Sequence, residues 1–247
     1  MTTNAGAGSI KALKLIEKMT YCADPMSLTE ISALLGVARS TAYSLVEALM
    51  SMGYLIKTTN KKYVISSRVY ELGNAYKNRY PIIRLFQNYN FDFLKGIADS
   101  LKLTVLADST RAVILYIYSP RNDLTQFPLG YAFQLNTSAC GKLLLCYATD
   151  EVKEAFLSGF PRESRTPNTI TTREAYEKEM ALVRERGYAI DNEEFRLNQV
   201  CLAVPVIISR TTNEMGAISV SGERDKMLEN QEIILDNLKI MSEILSQ

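Results

Sequence analysis

The stretch SLTEISALLGVARSTAYSLVEALMSMG, Ser27 to Gly53, constrains the fold more tightly than any other part of the chain. Ser27 and Glu30 make an S-x-x-E capping box, in which the serine side chain accepts from the third helical N–H and the glutamate returns to the serine N–H. The box opens a short helix through Leu35, ended by Gly36, and a second helix containing RSTAYSLVEAL follows and is closed by Gly53. Upstream, Ile10, Leu13, Ile16 and Met19 form one apolar stripe, which predicts a helix over about 9–21, broken by Asp24-Pro25. Downstream, YLIKTT and KYVIS flank Asn60-Lys61 and read as a β-hairpin. Helix, short helix, turn, helix and hairpin over residues 1–67 is the order of a winged helix-turn-helix DNA-binding domain. The same order is open to a protein-interaction module.

The helical wheel of the second turn-linked helix separates two faces. Ala42, Leu45, Val46, Leu49 and Met52 fall on one side, and Ser40, Tyr43, Ser44 and Glu47 on the other. The polar face begins with small hydroxyls at the helix N-terminus, where a recognition helix enters the major groove. Ser40 and Thr41 can bond phosphates or base edges, and Arg39 adds a charged contact. Ser40 equally suits an N-cap. Lys57, Lys61 and Lys62 on the hairpin supply further positive charge, and Thr29 on the short helix completes the candidate DNA-binding set with Tyr43 and Ser44. Residues 1–68 carry eight Lys and Arg against four Asp and Glu, leaving 20 against 23 in the remainder. A basic head on a mildly acidic body points to one domain that meets an anion and one that does not.

The chain has no histidine, which removes Ser-His-Asp and Cys-His nucleophilic systems and His-ligated metals. An enzyme reading would have to use Cys140 as nucleophile, or Asp191 with Glu193 and Glu194 as acid-base groups; a regulator without catalytic residues is the expected class. Cys22, Cys140, Cys146 and Cys201 sit at no metal-ligand spacing, so neither metal nor cofactor is expected. The N-terminus lacks a basic segment followed by an apolar core, and the longest apolar run, AVILYIY, is far short of the roughly 20 residues that span a bilayer. A cytoplasmic protein with reduced thiols and no membrane partner is the expectation.

RVYELGNAYKN predicts a linker helix, within a linker of residues 68–81 that takes in Pro81. Over 82–247 the pattern predicts a long helix at about 82–101, then strands LTVLAD and AVILYIY joined at Ser109-Thr110. Helices near 140–148, 150–157 and 172–186, strands YAID, VCLAVPVII and GAISVSG, and a closing helix over about 225–246 follow. Hairpin-paired strands with helices segregated around them indicate an α+β domain with a mostly antiparallel sheet. Within it, the small residues Ser138, Ala139, Cys140 and Gly141 precede an apolar helix. They either let a carboxylate approach the helix N–H groups or simply pack tightly. Ser219 and Ser221 share one strand face, opposite Ile218 and Val220; alone, that pattern reads as a solvated face.

Several of these segments together resemble the IclR family of bacterial transcriptional regulators, over nearly the whole length. LTEISALLGVARSTAYSLVEALMSMGYL is similar to that family's helix-turn-helix, and NTSACGKLLLC, RGYAIDNEEF, CLAVPV and AISVSG occur in its order and spacing. The resemblance implies a winged-helix head and a GAF-like effector-binding and oligomerisation domain. It also implies a homodimer or dimer of dimers on double-stranded operator DNA, and control by a small metabolite. Family positions matching Ala139, Cys140, Asp191, Cys201, Ser219 and Ser221 line the effector pocket, to which Gly141 is added as a candidate. A small mono-carboxylate is the expected effector, since Asp191 would repel a second anionic centre. Glu193 and Glu194 read as surface charges or salt-bridge partners. Two departures stand out: Ser44 where the family commonly has arginine, and no glycine in RLNQVC before the CLAVPV motif.

Overall fold

The computed structural model describes residues 6–120 and 129–246. The chain divides into two compact units, Met1–Arg79 and Tyr80–Gln247.

The first unit runs α1 (Ala7–Thr20), α2 (Leu28–Leu35), α3 (Arg39–Ser51), β1 (Leu55–Lys57), β2 (Tyr63–Ile65) and α4 (Arg68–Arg79). The capping box forms as its spacing requires: Ser27 Oγ accepts from the Glu30 N–H at 3.3 Å, and Glu30 Oε2 accepts from the Ser27 N–H at 2.6 Å. Gly36 ends α2 at φ +62°, a left-handed conformation glycine adopts without strain. Leu15, Met19, Ile31, Ala42, Val46, Leu49, Leu55 and Tyr63 close the core. Met52, expected on the buried face of α3, is 65% exposed, because the helix has already ended and Met52 is its C-cap. Strands β1 and β2 pair antiparallel, and Met26 and Tyr63 exchange backbone bonds of 2.9 and 2.7 Å that tie the entry of α2 to the wing.

The second unit contains α5 (Pro81–Gln87), β3 (Ser100–Leu106), β4 (Arg111–Tyr118), β5 (Ala132–Gln134), α6 (Ala139–Tyr147), α7 (Asp150–Leu157) and α8 (Arg173–Arg186). β6 (Ala189–Asn192), β7 (Gln199–Ser209), β8 (Glu214–Glu223), α9 (Arg224–Glu229) and α10 (Gln231–Leu245) complete it. The sheet has the order β5-β4-β3-β8-β7-β6 with every neighbour antiparallel, so the expected α+β class holds. Two helices differ from expectation. The long helix over 82–101 stops at Gln87: Asn90 Oδ1 takes the Asp92 N–H at 2.9 Å, and Gly96 sits at φ +78°. Both conformations are incompatible with a continuing helix, and Ser100 already belongs to β3. The closing helix is two, parted at Asn230, whose side chain donates to the Lys226 carbonyl at 2.8 Å.

Alternation along the strands sends Leu101, Leu103, Leu202, Val204, Ile218 and Val220 to a core shared with α5, α9 and α10. The other face carries small residues, Ala189, Ala203 and Ala217, against α6, α7 and α8. None of the helices among the described residues is long and apolar enough to cross a membrane.

Candidate functional site

The exposed face of α3 presents Arg39, Ser40, Tyr43 and Ser44, with Thr41 half-buried beside them. The N-cap is Ala38, which has no side-chain oxygen to offer, so Ser40 lies inside the first turn and is not the cap. The first-turn N–H groups therefore point outward uncapped, an arrangement that suits an anion. Ser44 Oγ donates to the Ser40 carbonyl at 3.1 Å, so that hydroxyl is engaged within the helix and offers its lone pairs outward. On the wing, Lys57 lies 5.6 Å from the Tyr63 ring centre, and Lys61 adopts φ +59° at the hairpin tip. Lys62 is 3.9 Å from Glu30, a loose and solvent-screened pair, and Thr29 is exposed beside it in α2.

In the second unit, register aligns one residue from each of four strands in a row: Asp191 on β6, Cys201 on β7, Ser221 on β8 and Ser100 on β3. The adjacent row runs Ala189, Ala203, Ser219 and Lys102. Where α6 begins over these rows, a cavity of about 60 Å³ opens, lined by Cys140, Asp191, Cys201, Ser219 and Ser221. Lys102, Ser138, Gln199, Ile114, Phe133 and Phe195 complete its wall.

Five of the seven expected effector residues are thus brought together. Ala139 and Gly141 are not. Ala139 is fully buried in the core under α6, and a Cβ at Gly141 would run into the Leu135 backbone, so these two small residues serve packing. The helix start is also partly satisfied already, because Ser138 Oγ caps the Gly141 N–H at 3.0 Å. Ser219 and Ser221 are 1% and 5% exposed, contrary to a solvated face, because α6 covers that side of the sheet. Ser221 Oγ lies 2.9 Å from Ser100 Oγ and accepts from Lys102 Nζ at 3.4 Å. Lys102, absent from the expected set, was signalled by its place in LKLTVL: a cation alternating with buried leucines must face the other side of the strand.

Asp191 is buried, and its Oδ1 accepts from the N–H groups of Glu194 at 2.7 Å and Phe195 at 3.2 Å. Burial, aided by the neighbouring Glu194 charge, pushes its carboxyl up to about 7 against those two bonds. Glu194 forms a buried ion pair with Lys142, whose Nζ also donates to the Ile190 carbonyl at 2.8 Å. Glu193 pairs with Arg224 at 3.4 Å and accepts from the Asn198 N–H at 2.7 Å. Both glutamates are therefore salt-bridge partners. Among the described residues no group of three or more potential ligands is placed to hold a metal.

Residues 10–58 match the family pattern described as the IclR helix-turn-helix domain, and residues 74–247 match that described as bacterial transcriptional regulator IclR C-terminal. The chain is 30% identical over 183 residues to the HTH-type transcriptional regulator KdgR of Escherichia coli (strain K12), covering 73% of this chain and 69% of that protein. It is 27% identical over 197 residues to the HTH-type transcriptional regulator XynR of the same organism, covering 79% and 78%. In fold it is similar to an IclR homologue from Microbacterium hydrocarbonoxydans complexed with 4-hydroxybenzoate, with a TM-score of 0.77, 20% identity, and coverage of 97% and 99%. With both of its units matched in order and the sheet, wing and α6 cavity built as described, the chain belongs to the IclR family of DNA-binding bacterial transcriptional regulators.

Proposed function

We propose that this regulator reads operator DNA with α3 and the β1–β2 wing, and is controlled by a small mono-carboxylate held in the α6 cavity. The reading is of a cytoplasmic homodimer or dimer of dimers on a two-fold operator, since one recognition helix spans only a half-site. Arg39, Ser40, Thr41 and Tyr43, with Thr29 and Ser44, contact bases and phosphates, and Lys57, Lys61 and Lys62 contact phosphates.

The observation that carries the ligand class is the polarity of the cavity. Lys102, Ser219 and Ser221 make a donor-rich side suited to a carboxylate, while Asp191 stands in the same wall with a carboxyl near neutrality in its titration. That acid can exchange a hydrogen bond with a hydroxyl or carbonyl on the ligand, and its burial disfavours a second anion beside it. Ile114, Phe133 and Phe195 offer apolar walls to the carbon skeleton. The 4-hydroxybenzoate held by the Microbacterium homologue is a ligand of this chemical class. The ligand can change DNA affinity only by the difference in its affinity for two conformations of the protein.

Two experiments test the reading. Selection of genomic fragments bound by the purified protein should enrich inverted repeats, and enrichment no better than random duplex would sink the operator. Calorimetric titration with pyruvate, lactate, gluconate and 4-hydroxybenzoate should find at least one binder. Lys102→Met should then weaken that binder roughly tenfold to a hundredfold, the loss of one or two charged hydrogen bonds. Undiminished affinity in Lys102→Met would move the carboxylate elsewhere.

A further inference from the structure

Two of the effector-cavity residues are thiols, and the carboxylate-binding donors named above are Lys102, Ser219 and Ser221. Cys140 lies in the first turn of α6 and Cys201 on β7 in register with Asp191; both line the cavity. Cys201 packs against the cluster that contains Cys140. We propose that Cys140 and Cys201 form a dithiol that a hydroperoxide oxidises to a disulfide across the cavity, closing it to small acids. Only the closing clause rests on the effector reading; the oxidation does not.

The chemistry balances in two steps. The Cys140 thiolate attacks the terminal oxygen of the hydroperoxide, the O–O bond breaks, and the alkoxide or hydroxide leaves with a proton, so Cys140 carries a sulfenic acid. The Cys201 sulfur then attacks the Cys140 sulfur, the S–S bond forms as S–O breaks, and the departing hydroxyl takes the Cys201 proton as water. Two thiols have lost two protons and two electrons, and the hydroperoxide has become an alcohol or water, plus water.

The surroundings divide the roles. The neighbouring Cys201 sulfur, with Ser219 and the Lys102 charge, holds the Cys140 thiol below its ordinary range against its burial. The neighbouring Cys140 sulfur and burial hold the Cys201 thiol up. Cys140 stands in the first turn of α6, where the helix N–H groups favour a thiolate, and is the attacking sulfur; Cys201 on β7 is the resolving one. Cys146 serves as an internal control: it is buried, its Sγ donates to the Met180 carbonyl at 3.5 Å, and burial pushes its thiol up to about 11.

The test uses the full chain with the exposed Cys22 replaced, Cys22→Ser, treated with hydrogen peroxide at neutral pH and quenched with N-ethylmaleimide in denaturant. Maleimide uptake should fall from three to one per chain, with an intact-mass loss of two hydrogens that dithiothreitol reverses. A non-reducing tryptic digest should yield peptides 122–142 and 197–210 joined through Cys140 and Cys201. The Cys201→Ser variant, which removes the resolving thiol, should leave Cys140 as a sulfenic acid trapped by dimedone. Three maleimides per chain after peroxide, a link through Cys146, or Cys140 carried to sulfinic acid while Cys201 stays free would each overturn the proposal. The readout uses neither DNA nor effector, so it succeeds or fails independently of the function proposed above.

Discussion

Ser40 and Ser44 stand exposed on α3, whereas Ser219 and Ser221 lie sealed on β8 beneath α6, and the same side chain does different work in the two places. On α3 the hydroxyls face water, that of Ser44 also donating to the Ser40 carbonyl, so replacing either leaves no buried group without a partner. On β8 both hydroxyls are desolvated, and that of Ser221 joins Ser100 and Lys102 in a hydrogen-bonded network. A change there is felt by the fold as well as by the ligand. The ion pairs repeat the contrast. Lys62–Glu30 is 44% and 54% exposed at 3.9 Å, while Lys142–Glu194 is 1% and 8% exposed.

The largest expected difference tests that contrast directly. Lys142→Met should destabilise the second unit by about 3–5 kcal/mol, because it strands the buried Glu194 carboxylate without its cation. Lys62→Met should cost less than about 1 kcal/mol. Adding Glu194→Gln to Lys142→Met should return much of the loss in chemical denaturation. Equal, small effects at the two lysines would mean that water reaches Lys142 in solution.

Asp191 gives a smaller effect with a pH signature that the exposed head lacks. Its carboxyl titrates at about 7 when folded, against about 3.9 in the unfolded chain. Between those values the folded state holds the extra proton, so stability is fully present below about pH 4 and is lost as pH rises through about 7. Asp191→Asn keeps an oxygen for the Glu194 and Phe195 N–H groups but carries no charge. It should flatten that decline and gain on the order of 2 kcal/mol at pH 8 relative to wild type. Unchanged pH dependence would assign the slope to Glu194, which burial also holds up.

The sequence made the head legible and left the cavity half-read, for a physical reason. Capping box, glycine stops and hairpin turn are local devices, and each acts within a few residues of where it is written. The cavity is assembled from β3, β6, β7, β8 and α6, which only long-range register brings together. Taken alone, the start of α6 reads as tight packing and Ser219 with Ser221 as a solvated face, and Lys102 pairs with Ser219 only through the β3–β8 register. At Ala139 and Gly141 small size signals close approach without saying whether a ligand or the protein's own backbone approaches, and at Gly141 it is the Leu135 backbone. Apolar periodicity continues across Asn88–Gly96 and Asn230, where only Asn side-chain bonding and a positive φ interrupt the helix.

The serines themselves come next in size. Ser221→Ala removes a partner from Ser100 and Lys102 inside a closed site, so it should cost about 1–2 kcal/mol of stability. Ser44→Ala on exposed α3 removes only a bond to its own helix backbone and should stay within about 0.5 kcal/mol. Thermal shift on the two variants side by side reads the difference. If Ser221→Ala is as silent as Ser44→Ala, the β8 network is loose enough for a ligand to reorganise without loss of stability.

Arg39 carries the smallest stability effect and the sharpest functional one. It is exposed at the uncapped start of α3, so Arg39→Ala should leave stability within about 0.5 kcal/mol. Its proposed work is electrostatic and begins only on contact with a phosphate, where neutralising one charge releases condensed counterions. The plot of log affinity against log salt should therefore lose about one unit of slope in Arg39→Ala, and affinity should fall most at low salt. Replacing Lys61 and Lys62 together should weaken specific and random duplexes by similar factors, since phosphate contacts carry no base information. An Arg39→Ala protein with unaltered slope and affinity would remove Arg39 from the interface. A slope unchanged with affinity lost only at one operator position would turn it from a phosphate contact into a base reader.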